Sequence, residues 1–230
     1  MSALDDTLAP LIATPWPDVP DLLLPALAET ARMVAVVMTI VVLLGGPLGL
    51  LIFNTSPLGL SPHRVVHVSI SWVANLGRSL PFLVLMAAII PVTKLVFGTT
   101  IGFKAAIIPM SVAGIAFFAR LTENAVREVP RDLLDVGLAT GASRWQIVSG
   151  IQLREALPGL AAGLTLNVIA MIEYSAIAGA IGSGGIGYLA VNYGYRRFDN
   201  SIMIACIVLL VVLVQAIQFT GDRVVRALTH

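Results

Sequence analysis

The feature that most constrains this chain is a run of 21 positions, 33–53, that carries no charge. Coiled as a helix rising ~1.5 Å per residue, it reaches about 31 Å, the thickness of a hydrocarbon core. A second uncharged run covers 200–221, and a third begins at Ala156, is interrupted only by Glu173, and continues to Tyr195. Two shorter runs, 79–93 and 105–119, are bounded by Arg78, Lys94, Lys104 and Arg120. They span a bilayer when those long side chains snorkel to the headgroups. Composition agrees: 12% of residues are charged, where a soluble domain carries roughly 25%. There is too little polar side chain to cover a solvated surface, which excludes an ordinary soluble enzyme. The expected fold is all-α and membrane-integral, with five transmembrane helices.

Five spans place the termini on opposite sides. With the N-terminus outside, the inner segments hold Arg64, Arg78, Arg120, Arg127, Arg131, Arg144, Arg154, Arg223 and Arg226, against Arg32, Lys94, Lys104, Arg196 and Arg197 outside. The positive-inside rule therefore favours an outer N-terminus and a cytoplasmic C-terminus. The first 30 residues are acidic and proline-rich and lack a basic start, so no cleaved signal peptide is expected. The expected divisions are an outer or interfacial tail at 1–26, a membrane domain at 27–219, and an inner tail at 220–230. Net charge is +1, which offers nothing to draw a nucleic acid. The single cysteine, Cys206, has no partner for a disulfide.

The inner segment 120–155 is too long for a simple turn and too regular for a slack one. Pro130 suits the first turn of a helix, Arg131 to Thr140 alternates polar and apolar residues at helical spacing, and Gly141 fits the left-handed position that ends a helix. Ser143-Arg144-Trp145-Gln146 is an S-x-x-Q capping box opening a second helix, which carries Ile147, Val148, Ile151 and Leu153. A helix, a glycine turn and another helix project from the membrane, too small to be a domain and suited to being gripped by another protein.

Catalytic signatures are missing from the sequence: no phosphate-binding G-x-x-x-x-G-K-[ST], no H-E-x-x-H and no G-x-S-x-G. His63 and His67 are an i,i+4 pair with no nearby acid or cysteine to complete a metal site. They read as interfacial polar residues, and no metal is expected. Residues 182–187 satisfy G-x-G-x-x-G, but after a membrane span rather than a strand. Close packing or a flexible outer gate are the two readings. Glu173, an acid two-thirds along an apolar helix, either hydrogen-bonds a neighbouring helix in its protonated form or lines a substrate path. Tyr174, Ile177 and Ile181 follow i, i+3, i+7 spacing and share one face in this reading, as part of a passage or as core.

Asp135-Val136-Gly137, three residues, Gly141, then nine residues to Ile151 and Leu153 resembles the EAA loop of ABC importer permeases. Asp135 stands where Glu is usual, Val136 and Gly137 replace two alanines, and Arg154 takes the place of a proline that Pro158 partly restores. The stretches at 77–82, 119–125, 188–195 and 217–223 resemble the methionine-uptake permeases of bacterial ABC importers, and the likeness covers most of 27–228. At Glu173 that family would have a small uncharged residue.

The resemblance implies a type I ABC importer permease fold in the bacterial inner membrane, with five spans and a cytoplasmic coupling helix. It implies a homodimer served by two ATPase subunits and an external substrate-binding lipoprotein. ATP and Mg would reside on the ATPase, with no cofactor and no catalytic residue in this chain. Asp135, Val136, Gly137, Leu138, Gly141, Ser143, Arg144 and Trp145 would form the ATPase-coupling loop, with Trp145, Leu134, Val136 and Leu138 as anchors and Arg131 and Arg144 at the rim. The implied cargo is methionine, D- or L-. Another small amino acid, a short peptide, or an ion-coupled carrier using Glu173 are the alternatives.

Overall fold

The computed structural model describes residues 13–229. Among them every regular element is helical: α1 (Val19–Thr55), α2 (Arg64–Ser79), α3 (Phe82–Phe97), α4 (Phe103–Arg127), α5 (Arg131–Ala139), α6 (Arg144–Ile147), α7 (Leu157–Ala178), α8 (Gly185–Leu189) and α9 (Asn200–Leu228). Four helices are long and apolar enough to cross a membrane, Trp16–Thr55, Phe103–Arg127, Leu157–Ser183 and Asn200–Leu228. A fifth crossing results when α2 and α3, broken at Leu80-Pro81, are counted as one span. Alone, α3 has 16 residues, about 24 Å at the usual rise.

The elements depart from expectation at three ends. The first helix starts at Val19, well before the expected boundary at 27, because Pro20 falls in its first turn, where no amide donor is needed. The last helix runs to Leu228 and takes in most of the expected tail at 220–230. The third long helix continues through residues 120–127, so the segment expected to be loop from residue 120 leaves the helix only after Arg127. Arg120, Glu123 and Arg127 pair along its surface, which keeps these charged residues helical.

The chain folds as two compact units. One takes Met1–Val37, Phe82–Met110 and Ala170–Ala216. Its core joins Val19, Ala26, Ile186, Leu189, Ile202 and Cys206. Asp199, just before α9, accepts hydrogen bonds from the amide (2.9 Å) and hydroxyl (2.6 Å) of Thr14 and from the Ile202 amide (3.1 Å). Burial raises the Asp199 pKa, but the bonds from Thr14, Ile202 and Ser201 together outweigh it and hold the carboxyl below its ordinary value.

The other unit takes Met38–Pro81, Ser111–Ile169 and Ile217–His230. Here Phe53, Ala125, Val126, Val129, Leu134, Ile147 and Ala156 form one core cluster and Ile52, Ala74 and Ala119 another. The connection at 54–78 contains a full helix, α2, capped by His63, whose ring accepts from the Val66 amide at 3.3 Å. His67 Nδ1 lies 3.0 Å from the Ile52 carbonyl. The histidine pair is thus used to cap a helix and tie it to α1. Val65, Val68, Trp72 and Leu76 leave an apolar stripe exposed on α2.

Candidate functional site

The hook between α4 and α7 is built by local chemistry. Pro130 precedes α5, and its last turn closes through Gly141 N to Leu138 O and Ala142 N to Gly137 O, both 3.1 Å. That pair of bonds is a Schellman closure, which requires a left-handed residue, and Gly141 supplies it at φ 79°. Two residues later Ser143 caps α6: its hydroxyl accepts from the Gln146 amide at 3.3 Å, and Gln146 Oε1 accepts from the Ser143 amide at 2.8 Å. The expected capping box is present. Arg144 reaches back to Ser61 Oγ at 3.0 Å.

The second helix is not the continuous one expected. After the single turn of α6 the backbone widens into a π turn at Val148–Gln152, where the Leu153 amide bonds the Val148 carbonyl. The surplus residue has a packing cause. Ile147 and Gln152 are both fully buried, and five residues apart in a regular α-helix they would point about 140° from each other. Widening the turn lets both face inward. Gln152 then exchanges two hydrogen bonds with Asn54, at 3.0 and 3.2 Å, which ties the hook to the end of α1.

With one side of the hook pinned, the other is left bare. Val136 is 61% exposed, Leu138 49% and Trp145 75%. Asp135, Gly141, Ser143 and Arg144 are exposed as well. Gly137 faces inward instead, where a Cβ would stand 2.9 Å from Ile151 and 3.1 Å from Ile147, so its small size sets how closely α5 lies on the hook's base. Leu134 corrects an expectation. It is 4% exposed and belongs to the hook's own core with Val129 and Ile147, so it cannot anchor a partner.

At the other candidate site, Glu173, Ile177 and Ile181 lie at i, i+4 and i+8 and are exposed together. Tyr174 is not on their face. Its ring stacks on Phe82, centroids 4.3 Å apart and 9° from parallel. The glycine-rich stretch after α7 turns sharply at Gly182, Gly184 and Gly185, all at positive φ. Side chains of α1 accept its amides: Glu29 from Gly185 at 2.7 Å and Thr30 from Ile186 at 3.0 Å. That is a packed junction rather than a nucleotide cradle. It borders a cavity of about 440 Å³ shared with Arg32 and Phe103.

Residues 45–230 match the family described as binding-protein-dependent transport system inner membrane component. The chain belongs to that family. This permease is 45% identical over 210 residues to a probable D-methionine transport system permease protein, MetI, of Vibrio cholerae, covering 91% of this chain and 93% of that one. To the D-methionine transport system permease protein MetI of Escherichia coli K12 it is 40% identical over 187 residues, 81% and 86% of the two chains. Among solved structures it resembles an inward-facing MetNI methionine ABC transporter, with TM-score 0.89, 40% identity, and 91% and 97% coverage. An amino acid ABC transporter solved with histidines shares the fold at TM-score 0.73 and 19% identity. The expected membrane-integral, type I ABC permease architecture is the one found.

Two features in and beside the permease's hook escaped the sequence. The Asn54–Gln152 amide pair joins residues 98 positions apart, and neither belongs to a motif. Glu123 is 2% exposed and bound by Arg120 and Arg127. Its i−3 and i+4 spacing to two arginines is the signal that could have placed it on a helix.

Proposed function

We propose that this chain is the membrane-spanning subunit of an ATP-driven methionine importer, working as a two-fold pair with two ATPase subunits and an external binding protein. The observation that carries this reading is the hook. Its two helices are closed by their own turn and capping box, yet it presents Val136, Leu138 and Trp145 to the outside between Arg131 and Arg144. Exposed aromatic and apolar groups rimmed by arginine are what an interface core requires. The likeness to MetI proteins over most of both chains supports methionine, D- or L-, as cargo.

ATP and Mg, bound by the ATPase subunits, supply the energy. The permease's own residues convert it into motion. Seated in a cleft of one ATPase, each hook is drawn toward its twin when the two ATPases close on nucleotide, and the permease chains rock between discrete packed states. Ser143 and Gly141 keep Trp145 aimed outward, and the Asn54–Gln152 pair passes the displacement to α1. Cargo bound outside and nucleotide bound inside each favour a different state. The hook lies on the cytoplasmic side, with the N-terminus outside, consistent with nine basic residues against five. Glu173, Ile177 and Ile181 face the passage.

The test is reconstitution of the permease with its ATPase and binding protein in proteoliposomes. Uptake of labelled methionine should require internal ATP and the binding protein. Uptake that proceeds without ATP and follows an imposed proton gradient would refute the reading.

A further inference from the structure

Glu123 lies on the last turns of α4, where the chain is about to leave for the hook. A carboxylate taken out of water costs several kcal/mol unless it is paired and hydrogen-bonded. Glu123 is 2% exposed, and both its oxygens are taken: Oε2 by Arg120 Nη1, Oε1 by Arg127 Nη2 at 2.5 Å. Arg120 does not end there. Its Nη2 donates to the Ser71 carbonyl and to Asn75 Oδ1, both at 2.9 Å, so one guanidinium joins α4 to α2. Below the cluster the two helices touch closely, since a Cβ at Gly77 would stand 2.7 Å from Ala116. Arg127 closes α4 three residues before Pro130 opens the hook.

A buried ion pair adds little net stability compared with apolar residues of the same shape. What this one supplies is direction. Arg120 held by Glu123 has one geometry in which it can meet both Ser71 and Asn75. Arg127 held by Glu123 keeps the last turn of α4 helical up to the point where the chain leaves for the hook. We infer that Glu123 is a positioning residue that holds α2, through Arg120, to the end of α4 from which the hook springs, so that displacement transmitted to α4 carries α2 with it and ATP hydrolysis is spent on transport. This rests on the importer reading above.

The whole complex, permease with ATPase and binding protein in proteoliposomes, is assayed for ATP hydrolysed per methionine imported. Glu123→Gln keeps the shape and removes the charge. It should co-purify ATPase at wild-type stoichiometry while raising ATP consumed per methionine about fivefold, a range open to residues along a coupling route. Glu123→Asp should restore most of the ratio, and Asn75→Ala, which cuts one of the two bonds from Arg120 to α2, should fall between. A wild-type ratio in Glu123→Gln overturns the inference, as does lost uptake that tracks lost assembly at unchanged ratio. Should Glu123→Gln not assemble, Asn75→Ala decides: a raised ratio supports the inference and an unchanged one overturns it. A wild-type complex without ATP-dependent uptake would instead overturn the importer reading itself.

Discussion

Replacing Gly141 by Val isolates backbone conformation as the cause of an effect. Beyond its two chain neighbours, no atom lies within 4 Å of where a Cβ would be, so the branch point of the new side chain has open space. Its cost comes from φ 79°. Holding an L-residue in the left-handed region costs about 1–2 kcal/mol, and a β-branched one up to about 3. The alternative is to abandon that region and lose the Gly141–Leu138 and Ala142–Gly137 bonds, each worth about 1 kcal/mol. By either route about 2–3 kcal/mol separates the variant from the native turn. If the native turn is the one the ATPase grips, its affinity falls about 30- to 150-fold. Gly141→Asn is the control, because asparagine tolerates the same conformation at about 1 kcal/mol. ATPase retention on tagged permease across a dilution series, with methionine uptake in parallel, should rank Gly, Asn, Val. Equal retention and uptake for the Asn and Val variants would refute the reasoning, because the turn would then be irrelevant to docking.

Trp145→Ala removes a side chain that is 75% exposed. Thermal unfolding of the permease alone should shift little, while retention of the ATPase falls about 30-fold, the effect of losing an interface anchor of about 2 kcal/mol. Gln152→Leu leaves Asn54 Oδ1 without its donor, while Nδ2 keeps only the Leu50 carbonyl, which should cost about 1–3 kcal/mol in unfolding. Adding Asn54→Leu should recover part of that loss, and simple additivity would count against the pair acting as a unit. At Asp199 the folded pKa lies below the ordinary value. Its contribution to stability is therefore present above the usual carboxylate range and lost as pH falls through the folded pKa, below about pH 4. Asp199→Asn should flatten the acid limb of stability against pH, read as thermal unfolding in detergent. An unchanged limb would show that the Thr14 clip does not carry it.

The hook's turn chemistry was readable because it is local: Gly141 and the Ser143–Gln146 box each act within a few residues. Which side of α5 is buried was not, because Leu133, Leu134, Val136 and Leu138 are all apolar. Ile147 and Val129, brought in by other segments, choose Leu134 for the core. In the same way Tyr174 matched the helical spacing of Ile177 and Ile181, but Phe82, 92 positions earlier, draws its ring away. The charges at 120–127 suggested a loop in the sequence, but they pair with one another along the helix, and Ser71 and Asn75, 49 and 45 positions earlier, hold Arg120 in place there. Long apolar runs located the spans well, while their ends depended on prolines and ion pairs beyond the runs.

The π turn at Val148–Gln152 stands between Trp145 and the long helix beginning at Leu157. Single-turn π bulges of this kind are rare in helices and sit frequently at functional sites. If Trp145 is where an ATPase takes hold, a shift of the bulge's surplus residue would reach the span as a rotation about its axis.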